Sequence, residues 1–264
     1  MTILTLKEQP AVPLETEVLT PDIVAPLKHA DVCALPIFLG KRQRRVDDFF
    51  EVEGDGSEHL DIRGDAFRVK WIGRGMTRGT ITINGNAGMH LGAYMKGGSI
   101  EVSGNASDWA GAEMTGGLIR VHGNAGGQLG AAYRGSPSGM NGGAIIVGGS
   151  AGIEIGMRMK RGIVAVKGPV RDFAGLQMKG GTIILMGGAE LRTGAWMVRG
   201  SILALKPVAL MPTFTYACRY QPAFVRLYAK HLAAMGIALP LDGVYERYTG
   251  DAAVPGKGEI LIAS

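Results

Sequence analysis

One short segment recurs along the middle of this chain and limits the folds that it can adopt. A glycine opens each copy, at positions 79, 98, 117, 143, 162, 181 and 200, so that successive copies lie 19, 19, 26, 19, 19 and 19 residues apart. A period this short is typical of a solenoid, in which each repeat packs mainly against its two neighbours. The period of the repeats therefore indicates the fold class without any local motif.

Each copy begins with two apolar columns separated by one residue. The first column holds Ile81, Ile100, Ile119, Ile145, Val164, Ile183 and Ile202, and the second holds Ile83, Val102, Val121, Val147, Val166, Leu185 and Ala204. Such alternation predicts a strand that points both columns inward and the residue between them outward. A unit of 19 residues is too short for a strand and a crossover helix. We therefore predict an all-β fold, a right-handed parallel β-helix with about seven to eight coils.

The repeats divide the chain into three predicted regions. A degenerate first copy begins at His59, and the pattern fades after Lys206, which predicts an amino-terminal cap over 1–58, a repeat domain over 59–206 and a carboxy-terminal helical tail over 207–264. In the cap we predict a strand at 34–39 and a short helix near 45–50. The basic run 41–45 fits a solvated face, with a partner contact as the alternative.

The tail contains a predicted amphipathic helix over 221–236. Its apolar face has helical spacing and comprises Phe224, Leu227, Tyr228, His231, Leu232 and Met235. We expect this helix either to cap the last open edge of the solenoid or to dock onto another subunit. On such a face His231 is expected to be a structural residue and not a ligand.

Two further columns have packing explanations. Seven methionines share one position, Met76, Met95, Met114, Met140, Met159, Met178 and Met197, and are predicted to fill the core and not to form a metal or ligand track. Asn86, Asn105 and Asn124 are predicted to hydrogen-bond from one coil to the next. The 42 glycines among 264 residues are far above the usual share, and their periodicity indicates turns.

Composition and motifs exclude several classes of function. The net charge of +5 favours an acidic partner or substrate. Cys33 and Cys218 have no CxxC spacing, and the five histidines show no metal-binding spacing, so we expect neither a metal site nor catalytic residues. The amino terminus lacks the pattern of a signal peptide, and no apolar run is long enough to span a bilayer. We expect a soluble, cytoplasmic protein that contacts no membrane.

The functional prediction rests on the features that depart from the repeat. The one long step contains an insertion within 131–140, whose larger side chains are Tyr133 and Arg134, and basic residues cluster just after the methionine column. These basic residues fit a merely solubilising edge, and the functional alternative is a groove for an extended polyanion, such as a polycarboxylate chain. Nucleic acid is disfavoured because aromatic residues are not interleaved with the basic ones. The candidate binding residues are Lys96, Tyr133, Arg134, Arg158, Lys160, Arg161, Lys179 and Arg199.

The repeated columns resemble a known family. The recurring G-G-x-I-x-V-x-G-N-A-G…G-A-x-M, over 59 to about 205, resembles the GXGXG β-helix of the glutamate synthase carboxy-terminal domain and of the C subunit of formylmethanofuran dehydrogenase. The length of the chain and its helical tail favour this C-subunit group over a glutamate-synthase-like module. Within the group, we favour the C subunit of bacterial formyltransferase/hydrolase complexes over that of the archaeal tungsten or molybdenum dehydrogenases.

The resemblance implies a scaffold without catalysis of its own. In that family, the partner subunits of A, B and D type, which include a metal-dependent amidohydrolase-like subunit and a formyltransferase subunit, carry the chemistry. Their complex passes formyl groups between tetrahydromethanopterin and a methanofuran-like carrier and releases formate, in the one-carbon metabolism of methylotrophs. The resemblance implies no bound cofactor, and we expect contact with the carrier's anionic polyglutamate chain. An independent enzyme is the competing class.

Overall fold

The computed structural model describes residues 1–234, 238 and 241–264. The amino-terminal region contains β1 (Thr2–Leu6), β2 (Leu14–Glu15), α1 (Pro21–Val24), α2 (His29–Cys33), β3 (Pro36–Leu39), β4 (Arg42–Arg45), α3 (Val46–Phe49) and β5 (Phe50–Glu53). The repeats contain β6 (His59–Arg63), β7 (Val69–Lys70), β8 (Thr80–Asn84), β9 (Ser99–Val102), β10 (Leu118–Val121), β11 (Asn141–Val147), β12 (Arg161–Val166), β13 (Lys179–Leu185) and β14 (Arg199–Ala204). The carboxy-terminal region contains β15 (Thr215–Tyr220), α4 (Val225–Ala234), β16 (Tyr245–Gly250) and β17 (Gly258–Ala263).

The protein is mostly β, and a large, mainly parallel sheet dominates it. Thirteen strands form this sheet in the order β15-β16-β17-β14-β13-β12-β11-β10-β9-β8-β6-β1-β5. Neighbouring repeats pair in parallel with equivalent residues opposite each other, as Ile81 is to Ile100 and Ile100 to Ile119. Both predicted inward columns are buried throughout. The alternation in the sequence therefore identified the strands and their buried face.

A second ladder joins the repeats away from the sheet. Parallel bridges connect Ala66, Ala87, Ala106, Ala125, Ala151, Val170 and Ala189 in succession. Backbone hydrogen bonds between successive repeats continue through the turns, as from Gly92 to Ile72 and from Gly111 to Leu91. Each repeat is thus hydrogen-bonded to its neighbour along much of its length.

The methionine column fills the core, as predicted, and it also explains the opening glycines. All seven methionines are fully buried. The terminal methyl group of each lies against an opening glycine of the next layer of the stack, where a Cβ on Gly117 would lie 2.6 Å from Cε of Met95. Met197 makes the same contact with Gly258, at the start of β17. The last strand of the chain therefore takes the place of one more repeat, although the repeat pattern ends some fifty residues earlier.

The asparagine ladder forms as predicted. Oδ1 of Asn86 accepts from the backbone N–H of Asn105 at 2.8 Å, and Oδ1 of Asn105 accepts from that of Asn124 at 2.8 Å. Ser150 continues the ladder, because its backbone N–H and its hydroxyl both donate to Oδ1 of Asn124. These bonds satisfy polar backbone groups at the turn after the first strand.

The amino-terminal region extends both sheets of the protein. The predicted strand at 34–39 and the predicted helix near 45–50 are confirmed as β3 and α3. β1 pairs in parallel with β6 and antiparallel with β5, so the main sheet ends there in an antiparallel pair. A smaller sheet has the order β4-β3-β2-β7.

The carboxy-terminal helix does not cap the open edge of the repeats, contrary to one of the two predicted roles. The strand β17 occupies that edge and pairs in parallel with β14. The helix α4 lies on the outer face of the main sheet, where Val225 and Leu232 share a buried cluster with Ile184 and Leu203. The outward column explains this position, since it is polar at first and becomes apolar at Ile146, Ala165, Ile184 and Leu203.

The buried face of α4 agrees in part with the predicted one. Leu232 is buried, and Phe224 and Tyr228 pack against the same cluster. Leu227 is 69% exposed and His231 is exposed, whereas Val225, outside the predicted face, is buried. The histidine is therefore not a buried structural residue. Met235 and Gly236, which the prediction placed on this helix and just past its end, lie outside the described residues. Within the described part of the chain, no helix combines the length and apolar character that crossing a bilayer requires.

Candidate functional site

Four of the predicted binding residues lie together in one cavity. Lys160, Arg161, Lys179 and Arg199 line a space of about 830 Å³ at the start of β12, β13 and β14, and Arg247 and Lys257 join them from the carboxy-terminal strands. We call this space the basic cavity. The parallel pairing of the repeats brings these residues together, and a register shift at the start of β13 and β14 places Lys179 opposite Arg199. The sequence did not indicate Arg247 and Lys257, because they lie beyond the last repeat.

The basic cavity carries a strong excess of positive charge. Glu259 is the one carboxylate among its lining residues, and it accepts hydrogen bonds from Nε of Arg247 and the hydroxyl of Ser201, both at 2.7 Å. Among the described residues, Lys160, Arg161, Lys179 and Arg199 form no ion pair. Such clustered, uncompensated cations attract an anion, and several carboxylates on one chain more strongly than one.

The remaining predicted residues lie elsewhere. Lys96 occupies the same column as Lys160 but is three repeats away, and Thr115 and Asn141 stand between them. Arg134 is exposed on the insertion. Arg158 lies beside the basic cavity, where its guanidinium donates to the carbonyl of Ser136 at 2.8 Å and to Oε1 of Gln177 at 2.7 Å. The structure therefore brings half of the predicted set into one place.

The insertion is fixed at both of its ends. Nζ of Lys179 donates to the carbonyl of Pro137 at 2.6 Å, which ties one end of the insertion to the basic cavity. At the other end, the backbone N–H of Tyr133 donates to the Glu113 carboxylate at 2.9 Å. The hydroxyl of Tyr133 lies 2.9 Å from Nδ1 of His90. The insertion thus lies along the repeats, held at both ends.

Tyr133 packs into a group of aromatic side chains that the sequence analysis missed. Its ring stacks on Trp109 at 4.9 Å between centroids, and Trp71 stacks on His90 at 4.1 Å. Tyr94 lies 5.6 Å from Tyr133. We call these five rings the aromatic cluster. Arg74 lies over two of them, 5.2 Å from the ring centroid of Trp71 and 5.5 Å from that of Tyr94. Aromatic and basic residues are therefore interleaved here, although not in the basic cavity.

The backbone presents these rings outward. Trp71, His90 and Trp109 occupy one repeat position and have φ of 67°, 64° and 67°, and Tyr94 has φ of 60°. Residues other than glycine rarely adopt this conformation. The spacing of 19 residues between Trp71, His90 and Trp109 was the signal that could have revealed the cluster. The contribution of Tyr133 could not be read in this way, because the insertion interrupts the period.

Burial changes the acid–base properties of the aromatic cluster. It is the main reason why the pKa of His90 falls from 6.5 to about 4, and the charge of Lys70 lowers it further. Burial also raises the pKa of the Tyr133 hydroxyl. At neutral pH both groups are therefore uncharged, and the hydrogen bond between them joins two neutral side chains.

A larger, mainly apolar groove adjoins the basic cavity. It has a volume of about 920 Å³, and its floor consists largely of the opening glycines of successive repeats, with Leu118 and Ile163. Leu227, Tyr228 and His231 of α4 form one side of it. The groove and the basic cavity share Arg161, Gly181 and Tyr228. Among the described residues, no three histidine, cysteine, aspartate or glutamate side chains are arranged to hold a metal ion.

The comparisons with known proteins agree with the repeat pattern. The profile of the GXGXG motif family matches residues 62–212, more than half of the chain. This chain belongs to the GXGXG family. The predicted resemblance is thereby confirmed.

One member of the GXGXG family is similar over nearly its whole length. The Fhc C subunit of the formyltransferase/hydrolase complex of Methylorubrum extorquens is 49% identical over 247 residues, which is 92% of each chain. A chain in the crystal structure of the FhcABCD complex of Methylorubrum extorquens with methylofuran superposes with a TM-score of 0.92, covers 99% of both chains and is 32% identical in that superposition. Similarity thus extends to both non-repeating ends.

Other relatives match over a shorter range. The C subunit of the tungsten-containing formylmethanofuran dehydrogenase 2 of Methanothermobacter marburgensis is 38% identical over 96 residues, 34% of this chain and 36% of that protein. The chain therefore aligns with only about a third of the length of this relative.

Proposed function

We propose that this protein is the C subunit of a formyltransferase/hydrolase complex and serves that complex as a scaffold. The observation that carries the proposal is the 49% identity to the Fhc C subunit over 92% of both chains. The activity of the complex would be the one implied by the family resemblance, in which formyl groups pass between tetrahydromethanopterin and a methanofuran-like carrier and formate is released. Partner subunits of A, B and D type would supply the catalytic residues.

The architecture supports a scaffold. Repeats that are hydrogen-bonded to each other along two ladders form a rigid body with a long surface. We propose that these repeats are the coils of a right-handed parallel β-helix, with 1–58 and 207–264 as separate terminal regions. The cytoplasmic location expected from the sequence and the absence of catalysis by this subunit remain predictions.

We further propose that the basic cavity holds the polyglutamate chain of the carrier. The lysine and arginine side chains of successive repeats give a row of cations about 4.8 Å apart along the stack. A flexible chain of carboxylates can contact several of them at once, and each charge-assisted hydrogen bond strengthens the next by proximity. The crystal structure of the related complex contains methylofuran, which agrees with a carrier of this kind.

Purification from the native host tests the scaffold role. We expect the full chain to co-purify with other subunits in a complex that transfers and hydrolyses formyl groups. An active, solitary 27.8 kDa protein would contradict the proposal.

Charge reversal tests the basic cavity in the assembled complex. Lys160→Glu combined with Arg161→Glu should raise the KM for the carrier at least tenfold, because two attractive contacts become repulsive, while the complex stays intact. The effect should shrink at high salt. The matched control is Lys206→Glu, an exposed lysine outside the basic cavity, and it should leave the KM unchanged. Unaltered carrier kinetics in the double variant would refute carrier binding here without refuting the scaffold.

A second candidate is the C subunit of a formylmethanofuran dehydrogenase. It is favoured by the 38% identity to the corresponding chain of the tungsten-containing enzyme over 96 residues. Tungsten or molybdenum in the complex that co-purifies with the chain would select this candidate.

A further inference from the structure

Trp196 presents an open aromatic surface near the basic cavity. The side chain is 49% exposed, and its neighbour Val198 is 42% exposed. Both residues line a concave space of about 460 Å³, together with Val254, Arg158, Gln177 and Lys179. Large apolar side chains grouped at the surface and bordered by polar ones are typical of interaction sites. We call these six residues the Trp196 surface.

The backbone around Trp196 is held firmly. Its N–H donates to Oδ2 of Asp251 at 2.9 Å, and the buried Asp251 carboxylate also accepts from the N–H of Ala253 at 2.8 Å. The N–H of Lys257 donates to the carbonyl of Val198 at 2.7 Å. The carboxy-terminal segment thereby fixes both exposed apolar residues of the repeat. A preorganised surface loses little conformational entropy when a partner binds.

The aromatic residue stands at an outward repeat position with a left-handed backbone. Trp196 has φ of 55°, and Tyr94, Glu113, Arg158 and Gln177 occupy the same position in other repeats with φ between 52° and 60°. Tyr94 lies within the aromatic cluster, and Arg158 and Gln177 bond to each other. Trp196 ends this column, with its indole half open to solvent. Nothing in the packing of the repeats explains a tryptophan at this place.

The border of the Trp196 surface is cationic. Arg158 and Lys179 line it directly, and Lys179 is shared with the basic cavity. Tryptophan and arginine are the side chains that most often dominate the energy of protein interfaces. A complementary surface would place an apolar or aromatic side chain on Trp196 and Val198, with carboxylates against Arg158 and Lys179.

We propose that the Trp196 surface is a docking site for a partner protein, through a segment that carries an apolar or aromatic side chain flanked by acidic residues. The inference rests on the proposed function, because the partner is another subunit of the same complex. The basic cavity and the Trp196 surface then have different roles: the cavity binds the carrier, whereas Trp196 and Val198 bind the partner subunit. Lys179 contributes to both.

The experiment compares assembly and carrier use in the full complex from the native host. Trp196→Ser and Val198→Asp should each weaken association with at least one subunit tenfold or more, measured by titration with light scattering or by mass photometry. Any complex that is still formed at high protein concentration should show an unchanged KM for the carrier. The matched control is Phe67→Ser, which removes an aromatic side chain that is 52% exposed at the opposite end of the repeats, and it should assemble normally.

The outcomes separate this inference from the proposed function. If the unaltered chain assembles but Trp196→Ser assembles equally well, docking at this surface is refuted and the scaffold role stands. If the unaltered chain assembles with nothing, both fail. Hydrogen exchange on the unaltered chain provides a test that does not depend on the folding of a variant. Assembly should slow exchange at 196–198 and 251–257, and the same exchange with and without partners would overturn the inference.

Discussion

The hydroxyl of Tyr133 lies 2.9 Å from Nδ1 of His90, although the two residues are 43 positions apart in the chain. This bond closes the insertion over the earlier repeats, while Lys179 ties its other end to the basic cavity. An insertion that leaves a rigid stack is expected to be mobile. Here its two ends connect the aromatic cluster with the candidate carrier site.

The Tyr133 ring should protect the insertion from proteolysis. In Tyr133→Ala the stacking on Trp109 and the bond to His90 are both lost, so the neighbouring Arg134 should become at least ten times more sensitive to trypsin. Tyr133→Phe loses only the hydrogen bond, about 1 kcal/mol, and should increase cleavage only several-fold. Mass spectrometry of early digests measures this. Cleavage after Arg134 should disappear in Tyr133→Ala combined with Arg134→Gln, and equal rates in all variants would contradict the anchoring role.

The stability of the fold should fall in mild acid because of His90. Its pKa is about 4 in the folded protein against 6.5 for an ordinary histidine, so the unfolded chain binds a proton in this interval that the folded protein does not. The contribution of His90 to stability is therefore complete above pH 6.5 and is lost progressively as the pH falls towards 4. Urea unfolding at pH 7.5 and pH 4.5 measures the change. His90→Gln should show a smaller decrease than the unaltered protein, and identical decreases would contradict the assignment.

Two glycines with nearly the same φ allow the energetic cost of backbone strain to be measured separately from the cost of close packing. Gly117 has φ of 89°, and a Cβ there would lie 2.6 Å from Cε of Met95 and 2.9 Å from the carbonyl oxygen of Gly98, whereas Gly135 has φ of 87° and no atom within 4 Å of an added Cβ. Gly135→Ala should cost about 1 kcal/mol of unfolding free energy through strain alone. Gly117→Ala should cost about 1–3 kcal/mol more, because of overpacking. Equal costs in urea unfolding would show that the contact between methionine and glycine is not tight.

Two leucines of α4 test the position of that helix. Leu232 is fully buried against the outer face of the main sheet, whereas Leu227 is 69% exposed. Leu232→Ala should destabilise the packed helix by about 2–5 kcal/mol, and Leu227→Ala should change its stability by less than about 0.5 kcal/mol. Amide hydrogen exchange of 225–234 reports this directly. Faster exchange in Leu227→Ala than in Leu232→Ala would contradict the observed orientation.

The features that could be predicted from the sequence are those that repeat periodically or depend on neighbouring residues. In-register columns such as Ile81 and Ile100 identify the strands, because identical repeats can stack only with equivalent residues opposite each other. The apolar change in the outward column, at Ile146 and Ile184, is a signal of the same kind, since it indicates that another element covers the sheet there. The clustering of four basic residues in the cavity follows from two adjacent columns, one with Lys160 and Lys179 and the next with Arg161 and Arg199.

What the sequence did not predict depends on contacts between distant segments. β17 completes the repeats through Gly258, which has no periodic relationship to Gly200. Arg247 and Lys257 enter the basic cavity for the same reason. Tyr133 reaches the aromatic cluster because the insertion folds back over two repeats, and its length alone does not specify that direction.

The contact of each methionine with a glycine of the next layer also gives every repeat the same spacing along the stack. Each repeat advances the stack by about 4.8 Å, so the six steps that separate Trp71 from Arg192 in their shared column correspond to roughly 29 Å. Because every repeat presents the same contacts to the next, deletion or duplication of one whole repeat would change this distance by one step without disturbing the remaining pairs. The number of repeats therefore fixes the distance between the surfaces at the two ends of the stack.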